Sequence, residues 1–329
     1  MKDALEIFRA LADSTRLRIL TLLRAMELSV GELAQVLGQS QPRVSRHVKI
    51  LCDSGLAERR KEGSWVFVAL GEAERVEPVL AALDRWNGDG ADHWAVADSA
   101  RLAAVRADRA AAAAEWFEAH AGEWDAIRSL HVAESEVEAA MAAALGLNGA
   151  DAPRIERLID IGTGTGRMLE LFAPHATRAL GIDRSSEMLR LARAKLSEQG
   201  LANADLRQAD IYALPMADGE ADAAILHHVL HFAQQPGAAI REAARVLGAG
   251  GRLLIADFAA HDREELRTAE GHVRLGFSDE QVLGWFRAAG LVPVQTDTLE
   301  GGTLTVKLWL GRKAGQPMDD LSINKVKVA

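Results

Sequence analysis

The sequence predicts an α/β protein with two parts, a small helical domain at the N-terminus and a larger doubly wound parallel sheet at the C-terminus. The chain has 329 residues, more than the roughly 250–300 that one hydrophobic core usually supports. Its charge is divided unevenly, with a net of +3 over residues 1–70 and −12 over the remainder. From about residue 150 short apolar strands alternate with helical segments, which indicates a mostly parallel sheet.

Composition narrows the class of protein. The chain is 49% hydrophobic and 26% charged, which is ordinary for a globular protein. No apolar run reaches the about 18 residues that a membrane span needs, and the first residues lack the apolar core of a secretory signal. Cys52 is the only cysteine, which excludes an internal disulfide and a cysteine-rich metal site. We therefore expect a cytoplasmic protein with no membrane partner and no metal.

Local signals divide the first 70 residues into four helices and a hairpin. Asp13 is positioned to cap the second helix, and Ser29 and Glu32 form the S-x-x-E capping box of the third. Gly38 ends the third helix, and Ser40 is predicted to cap the fourth. The stretch AERRKEGSWVFVAL then reads as two strands joined at the Glu-Gly pair.

Two short helices joined by a tight glycine turn and followed by a basic hairpin predict a winged helix-turn-helix over residues 1–86. In that arrangement the second helix of the pair enters the major groove of double-stranded DNA, N-terminus first. Gln and Arg side chains can read adenine and guanine edges, and basic residues of the wing meet phosphates. The predicted DNA contacts are Gln39, Ser40, Gln41, Arg43, Ser45, Arg46, His47 and Lys49, with Arg59, Arg60 and Lys61 on the wing. The alternative is a winged helix that serves only for protein contacts.

Three segments of this region, LADSTRLRILTLL, ELAQVLGQSQPRVSRHVKIL and SGLAERRKEGSWVFVAL, resemble the ArsR family of bacterial repressors. The resemblance covers about residues 1–85 and implies a homodimer that binds an operator, with the first helix and the helix after the wing at the dimer interface. Metal-sensing members carry a Cys-x-Cys pair before the recognition helix. Here that region reads AMELSVGEL, so metal or arsenite sensing by that route is not expected.

The stretch RLIDIGTGTGRMLELF predicts a strand, a glycine loop and a helix. Gly162, Gly164 and Gly166 let the backbone approach a ligand closely, and the helix start supplies free N–H groups. A dinucleotide fingerprint requires a glycine at position 167, which is Arg167 here. The ligand therefore need not carry a pyrophosphate.

The D-x-G-x-G loop resembles that of the class I methyltransferases that use S-adenosylmethionine (SAM), and three further motifs follow over about residues 150–312. The resemblance implies a Rossmann-like methyltransferase domain at 151–313 and S-adenosylhomocysteine (SAH) as product. The stretch AGQPMDDLSINKVKVA at 314–329 is predicted to be a loosely ordered tail. A carboxylate at the end of the second strand can accept hydrogen bonds from both ribose hydroxyls, and the family contacts adenine after the third. The predicted cofactor-binding residues are Asp160, Gly162, Gly164, Gly166, Asp183, Arg184, Asp210, Ile211 and His227.

Catalytic residues are less well defined by the sequence. Methyl transfer depends mainly on orienting the reactants, and a base is required only if the acceptor carries a proton. His227, His228 and His231 cluster after the fourth strand and are candidate bases, while His261 and His272 are candidates to line the acceptor pocket. For each histidine, the alternative is a structural or cofactor-packing role.

The acceptor class follows from exclusions and from resemblance. No Asn/Asp-Pro-Pro-Tyr motif occurs, which argues against methylation of DNA bases by that route, and a single cysteine argues against arsenite methylation. The segment looks closest to small-molecule methyltransferases related to enzymes of quinone biosynthesis. Residues 87–150 are predicted to form a linker and, by resemblance to related methyltransferases, a helical lid. Trp116, Phe117 and Trp124 either close an apolar pocket there, or only pack the helices on the core or form a dimer interface.

Three functions remain open. The chain is an active methyltransferase whose helix-turn-helix regulates its own operon, a repressor that senses SAM or SAH without turnover, or a methyltransferase whose winged helix only dimerises it. The glycine loop and Asp183 predict cofactor binding in all three, because sensing and turnover use the same groove. We favour an operator-binding regulator whose second domain methylates a small molecule.

Overall fold

A computed structural model describes residues 2–62, 65–87, 94–105, 107, 133–148, 154–300 and 302–315. The chain divides into two units. The first, called here the winged-helix unit, comprises Met1–Trp116 together with the later segment His261–Leu275. The second, called the sheet unit, comprises Phe117–Ala260 and Gly276–Ala329. The predicted lid residues Trp116, Phe117 and Trp124, like residues 316–329 of the predicted tail, lie outside the described ranges.

The winged-helix unit confirms the predicted helix-turn-helix with a β-hairpin. Its sheet has the order β1-β3-β2, with both pairs antiparallel. The elements are α1 (Lys2–Leu11), α2 (Ser14–Ala25), β1 (Leu28–Ser29), α3 (Val30–Leu37), α4 (Gln41–Asp53), β2 (Ala57–Glu62), β3 (Trp65–Leu70), α5 (Ala73–Asn87) and a helix over residues 94–105, α6.

The predicted caps are confirmed at two of three helix starts. The Asp13 carboxylate accepts a hydrogen bond from the backbone N–H of Arg16 at 3.2 Å, and the capping box of Ser29 and Glu32 is made in both directions. Ser40 is wrong as a side-chain cap, because it makes no capping hydrogen bond. Helix α4 instead begins with a proline in its first turn, which has no N–H to satisfy.

Helix α6 changes the predicted domain boundary. The sequence places residues 87–150 in a linker and lid, yet α6 packs into the first unit. Its Leu102 and Val105 are buried in the core that α2, α3 and α4 share. Its Asp98 carboxylate also accepts two hydrogen bonds, both at 2.6 Å, from the Arg18 guanidinium on α2. Apolar burial and this bidentate pair attach α6 to the helices that precede the predicted boundary at residue 86.

The sheet unit is built on seven strands in the order β6-β5-β4-β7-β8-β10-β9. Neighbours from β6 to β8 are parallel, whereas β10 is antiparallel to both β8 and β9. The helices are α7 (Glu134–Ala144), α8 (Arg167–Phe172), α9 (Ser186–Glu198), α10 (Pro236–Val246) and α12 (Asp279–Ala288), and α11 (Glu265–Ala269) lies in the segment of the first unit. The strands are β4 (Ile155–Ile161), β5 (Ala176–Asp183), β6 (Ala204–Gln208), β7 (Ala221–His227), β8 (Leu247–Phe258), β9 (Leu291–Leu299) and β10 (Val306–Lys313).

The doubly wound, mostly parallel sheet is therefore confirmed, and its strand order places the candidate site. From β4 the chain proceeds outward to β5 and β6, then returns to β7 on the other side of β4 and continues to β8. The chain therefore leaves the neighbouring strands β4 and β7 in opposite directions, towards β5 and towards β8. Open α/β sheets bind ligands in the crevice that such divergence leaves at the carboxyl ends of the strands. Among the described residues, no helix is long and apolar enough to cross a membrane.

Candidate functional site

The recognition helix α4 separates an apolar face from a polar one. Val44, Val48 and Leu51 are fully buried, which fixes the rotation of the helix on α2 and α3. The opposite face and the wing then present the predicted DNA contacts to solvent. The exposed members of that set are Ser40, Gln41, Arg43, Arg46, Lys49, Arg59 and Lys61. Five of these seven carry a positive charge, which suits a phosphate backbone.

Three predicted DNA contacts point into the unit instead. The Gln39 amide donates to the Thr15 hydroxyl at 3.2 Å. His47 Nδ1 lies 3.6 Å from the carboxylate of Asp13, the cap of α2. Arg60 forms an ion pair with Glu27. These three side chains thus have partners within the unit that sequence spacing alone did not reveal, and their contact with DNA stays a prediction.

A hydrogen bond joins the wing to the recognition helix. Arg59 on β2 donates through Nη2 to the backbone carbonyl of Ser45 on α4 at 2.8 Å. A groove of about 680 Å³ beside this contact is lined by residues of α3, α4 and β2, including Glu32, Gln35, Gln41, Ser45 and Arg59. The basic wing and the polar face of α4 thus form one surface.

The glycine loop of the sheet unit is folded tightly over the end of β5. The N–H groups of Gly162 and Thr163 both donate to the Ile182 carbonyl, at 2.7 and 2.8 Å. Gly162 has φ +77°, and a Cβ there would come within 2.5 Å of a Val229 methyl carbon. Asp160, which is 1% exposed, accepts a hydrogen bond from the Thr163 hydroxyl at 2.5 Å. Asp160 therefore stabilises the conformation of the glycine loop through Thr163, so its predicted role in cofactor binding would be indirect.

Asp183 connects this loop to the next one. One carboxylate oxygen accepts from the N–H of Gly164 at 2.9 Å, and the other accepts from the N–H of Ser185 at 2.8 Å. Burial raises the pKa of the carboxyl, and the hydrogen bonds from Ser185, Gly164 and Arg184 oppose that rise. A carboxylate oxygen has two lone pairs, so each oxygen can accept one further hydrogen bond, as a ribose diol would donate.

The remaining predicted cofactor residues lie on the same edge of the sheet. Asp210 follows β6, is exposed, and accepts from the N–H of Tyr212 at 3.0 Å. Ile211 is half-buried against the core, and Arg184 is exposed just after β5. These residues fit the chemistry of SAM. The two oxygens of the Asp183 carboxylate can accept hydrogen bonds from the ribose, the Ile211 side chain offers an apolar contact for the adenine ring, and the glycine loop allows close approach of the backbone.

The three histidines of the sequence prediction cluster at the ends of β7 and β8. His227 ends β7, and its Nε2 lies 3.7 Å from the Glu134 carboxylate at the start of α7. His228 has φ +53° and donates its N–H to the Ala256 carbonyl at 2.8 Å. The rings of His227 and His228 are 4.5 Å apart. All three histidine side chains are buried.

Asp257 completes this cluster and was missed by the sequence analysis. It lies at the end of β8 with no exposed surface, and its Oδ1 is 2.7 Å from His231 Nδ1. Its burial alone would raise the pKa of the carboxyl, but the charges of His231 and His228, with hydrogen bonds from His231 and Phe258, hold that pKa below its usual value. The available signal was a carboxylate near the end of an otherwise apolar strand, in LLIADF.

The same residues define the candidate metal position among the described residues. Ligand atoms of His228, His231 and Asp257 lie within 4.8 Å of one another. However, the Asp257 oxygens already accept hydrogen bonds from four N–H groups, those of Leu230, His231, Phe258 and the His231 ring. A metal would have to displace some of them, so the geometry favours a hydrogen-bonded pair.

His261 and His272 are not part of this cluster. Both belong to the segment His261–Leu275 of the winged-helix unit, with ring centres 6.4 Å apart. The expectation that they line an acceptor pocket stays a prediction.

Comparisons with known proteins match the two units separately. Residues 13–59 match the family model of bacterial regulatory proteins of the arsR family, and residues 159–255 match that of a methyltransferase domain. The chain is 38% identical over 104 residues to the arsenical resistance operon repressor of Escherichia coli, covering 26% of this chain and 89% of that protein.

The second unit has relatives among methyltransferases. It is 32% identical over 142 residues to a phosphatidylethanolamine N-methyltransferase of Cereibacter sphaeroides, covering 43% of this chain and 68% of that protein. It is 31% identical over 117 residues to the uncharacterized methyltransferase YcgJ of Bacillus subtilis, covering 36% of this chain and 46% of that protein. A chain of the solved complex between the Haloferax volcanii Trm112 methyltransferase activator and a methyltransferase superimposes with a TM-score of 0.51 at 20% identity, over 63% of this chain and 99% of that one.

Proposed function

Because the chain belongs to the ArsR family of regulators over its N-terminal part and continues into a class I SAM-dependent methyltransferase domain, we propose that it binds an operator and methylates a small molecule. The observation that carries the catalytic half is the placement of Asp183 and of the His231–Asp257 pair at the carboxyl ends of parallel strands on either side of β4 in one sheet. This edge is where open α/β sheets bind ligands.

The cofactor-binding residues have separate roles in this proposal. When bound, SAM supplies an electrophilic methyl group. Asp183 accepts hydrogen bonds from its ribose hydroxyls, while Asp210 and Ile211 contact the adenine. Asp160 and Gly162 keep the loop in the conformation that allows this approach. Because proximity and orientation supply much of the rate of a group transfer, these residues act mainly by positioning.

His231 is the proposed general base. An ionised Asp257 can only accept hydrogen bonds, so it holds the proton of His231 on Nδ1, and Nε2 of the neutral ring carries the lone pair. His231 can then take the proton that a hydroxyl or amine acceptor loses on methylation, and Asp257 stabilises the imidazolium that results. A positioned base contributes about 10²- to 10⁴-fold to a rate. The His228 ring lies 6.0 Å from the His231 ring, and the His227 ring lies next to that of His228.

The DNA-binding half rests on the exposed polar face of α4 and on the wing. Arg43 and Arg46 are the proposed contacts to base edges, and Arg59, Lys61 and Lys49 contact phosphates. The homodimer is proposed from a second observation. Large apolar side chains are exposed on the two helices that form the interface in the resembling family: Leu5 and Phe8 on α1 are 51% and 63% exposed, and Trp86 on α5 is 72% exposed.

The deciding experiment measures turnover and binding together. Purified protein is titrated with SAM by calorimetry and then incubated with labelled SAM and a panel of small phenols, enols and amines. Transfer of label that is lost in His231→Asn but retained in His175→Asn, an exposed histidine of the same unit, supports the proposal. SAM binding with no transfer to any acceptor would favour the cofactor-sensing repressor instead. Operator binding is measured in parallel on a fragment of the protein's own promoter.

A further inference from the structure

The chain leaves the methyltransferase sheet after β8 and returns before α12. The residues between, His261–Leu275, are called here the insert, and they belong to the winged-helix unit. Where the insert departs, Ala260 donates its N–H to the Phe277 carbonyl at 3.1 Å, and the Phe277 N–H donates to Phe258 at 2.9 Å. Gly276 has φ +73°, and a Cβ there would lie 2.1 Å from the Ala259 carbonyl oxygen. Backbone hydrogen bonds thus hold the chain segments on the two sides of the insert next to each other.

Arg274 fixes the insert in the winged-helix unit. Its side chain is 1% exposed, and its guanidinium carbon lies 4.2 Å above the centre of the Phe67 ring. Its Nη2 is 3.1 Å from the Glu27 carboxylate. A buried arginine is strongly unfavourable without such partners. Glu27 and Phe67, which belong to the winged-helix unit, are therefore two of the groups that hold the insert in place.

Glu27 is shared with the wing. The oxygen that faces Arg274 also forms an ion pair with Arg60 on β2, and Arg60 lies directly opposite Phe67 in the β2–β3 pairing. One carboxylate thus faces two guanidinium groups. If Arg274 is displaced, Glu27 keeps Arg60 as a partner but loses its second guanidinium, and the Phe67 ring on β3 loses the guanidinium that stacks on it. The position of the insert and the conformation of the wing are therefore linked.

The N-terminal end of the insert, His261, follows a residue of the candidate methyltransferase site closely along the chain. Asp257, which holds His231, lies four residues before His261 along the chain. We propose that the insert couples the two activities, so that ligand bound at the carboxyl end of β7 and β8 changes operator affinity through Arg274, Glu27 and Arg60. This inference rests on the proposed function for both the cofactor and the operator, and adds the physical element that connects them.

The test measures operator affinity by fluorescence anisotropy at fixed salt, with full-length protein and a labelled fragment of its own promoter. Titrations are done without ligand, with SAM and with SAH. We expect at least one ligand to shift the wild-type Kd about fivefold or more, a size typical of coupling between sites. In Arg274→Gln the shift falls to within about twofold of none, while the SAM Kd measured by calorimetry is retained. Reciprocity requires operator DNA to change the wild-type SAM affinity by the same factor.

The matched control is Arg263→Gln. Arg263 is an exposed arginine of the same insert that pairs with Glu265, also in the insert, at 2.6 Å. It carries the same charge but makes no described ion pair with Glu27, so this variant keeps the ligand-dependent shift. A Glu27→Gln variant removes the shared carboxylate from the other side and is expected to weaken the shift in the same way as Arg274→Gln.

Hydrogen exchange of the wild-type protein covers the case in which Arg274→Gln fails to fold. Ligand that enters the methyltransferase site should change exchange of the β2 and β3 amides. Three outcomes would overturn the coupling and leave the proposed function intact. The first is unchanged hydrogen exchange of the β2 and β3 amides, and the second is a ligand-dependent shift of the operator Kd that persists in folded Arg274→Gln. The third is a wild-type operator Kd that neither SAM nor SAH changes, although the protein binds both DNA and SAM. Wild-type protein that binds no operator or no SAM would overturn the proposed function, and the coupling with it.

Discussion

His231 donates a hydrogen bond through Nδ1 to the Asp257 carboxylate across 2.7 Å, and the side chains of the two residues are 2% and 0% exposed. The residues are separated by 26 positions in the chain and are brought together because β7 and β8 are parallel neighbours. An acidic residue that orients a histidine and fixes its tautomer is a recurring arrangement for a general base.

Replacement of Asp257 by Asn tests this relationship kinetically. The variant lacks the negative charge that stabilises the imidazolium, and its amide no longer enforces a proton on Nδ1. We expect kcat to fall by about 10²-fold or more, with the SAM Kd unchanged. Steady-state kinetics and calorimetry measure the two quantities. Asp205→Asn, at an exposed carboxylate on β6, is the control, and equal kcat in both variants would contradict the assignment.

The same substitution predicts a pH dependence of stability. The pKa of Asp257 is lowered in the folded protein, so its stabilising contribution is complete above the ordinary carboxyl pKa and is lost as the pH falls through the lowered one. The difference in free energy of unfolding between wild type and Asp257→Asn should therefore shrink on acidification. Urea titrations from neutral to strongly acidic pH measure it, and a difference independent of pH would contradict the prediction.

The pKa of Asp183 is shifted in the opposite direction to that of Asp257, and this predicts a pH dependence of SAM binding. Burial raises the pKa of this carboxyl, and ribose hydroxyls bind best to the ionised form. SAM affinity should consequently fall on acidification at a higher pH than an exposed aspartate would produce. In Asp183→Ala the affinity should be roughly 10- to 150-fold weaker, the equivalent of about 1.5–3 kcal/mol for a hydrogen bond to a charged group, and its acid limb should disappear. Calorimetry across pH decides this.

Separability of the DNA surface is tested at the recognition helix. Arg43→Ala and Arg46→Ala should each weaken operator binding by about 1–3 kcal/mol if the arginine reads a base edge, and both should leave SAM affinity unchanged. The control is Arg24→Ala, which removes an exposed arginine of α2 that pairs with Asp84, a contact worth little in water. Anisotropy and calorimetry report the two affinities. Weakened SAM binding in the α4 variants would show that the two functions are not separable in this way.

The glycine loop predicts a difference between two glycines with similar backbone angles. Gly162 and Gly200 have φ of +77° and +68°, but only Gly162 has a close neighbour, Val229, at the position of an added Cβ. Both alanine variants carry the strain of a positive φ, about 1–2 kcal/mol. Gly162→Ala should be destabilised further and lose SAM affinity, whereas Gly200→Ala should bind SAM normally. Urea unfolding measures the stabilities, and equal losses would contradict the packing argument.

The sequence by itself determined the elements and the order of the two units. Caps such as Asp13 and the Ser29–Glu32 box act over three residues, and the alternation of apolar strands and helices after residue 150 is enough to predict a parallel sheet. The glycine loop and Asp183 were also found, because the strand–loop–helix arrangement that places them is contiguous in the chain. These features rest on local hydrogen bonds and periodicity.

Only the tertiary structure decided which distant side chains meet. Asp257 joins His231 through the pairing of β7 with β8, Arg60 turns inward because Glu27 lies beside it, and Arg274 is buried in the unit formed mostly by the first part of the chain. No local pattern marks these partners, since each contact spans at least 26 positions. The physical reason is that burying a charge requires a compensating group, and the fold as a whole determines which one is within reach.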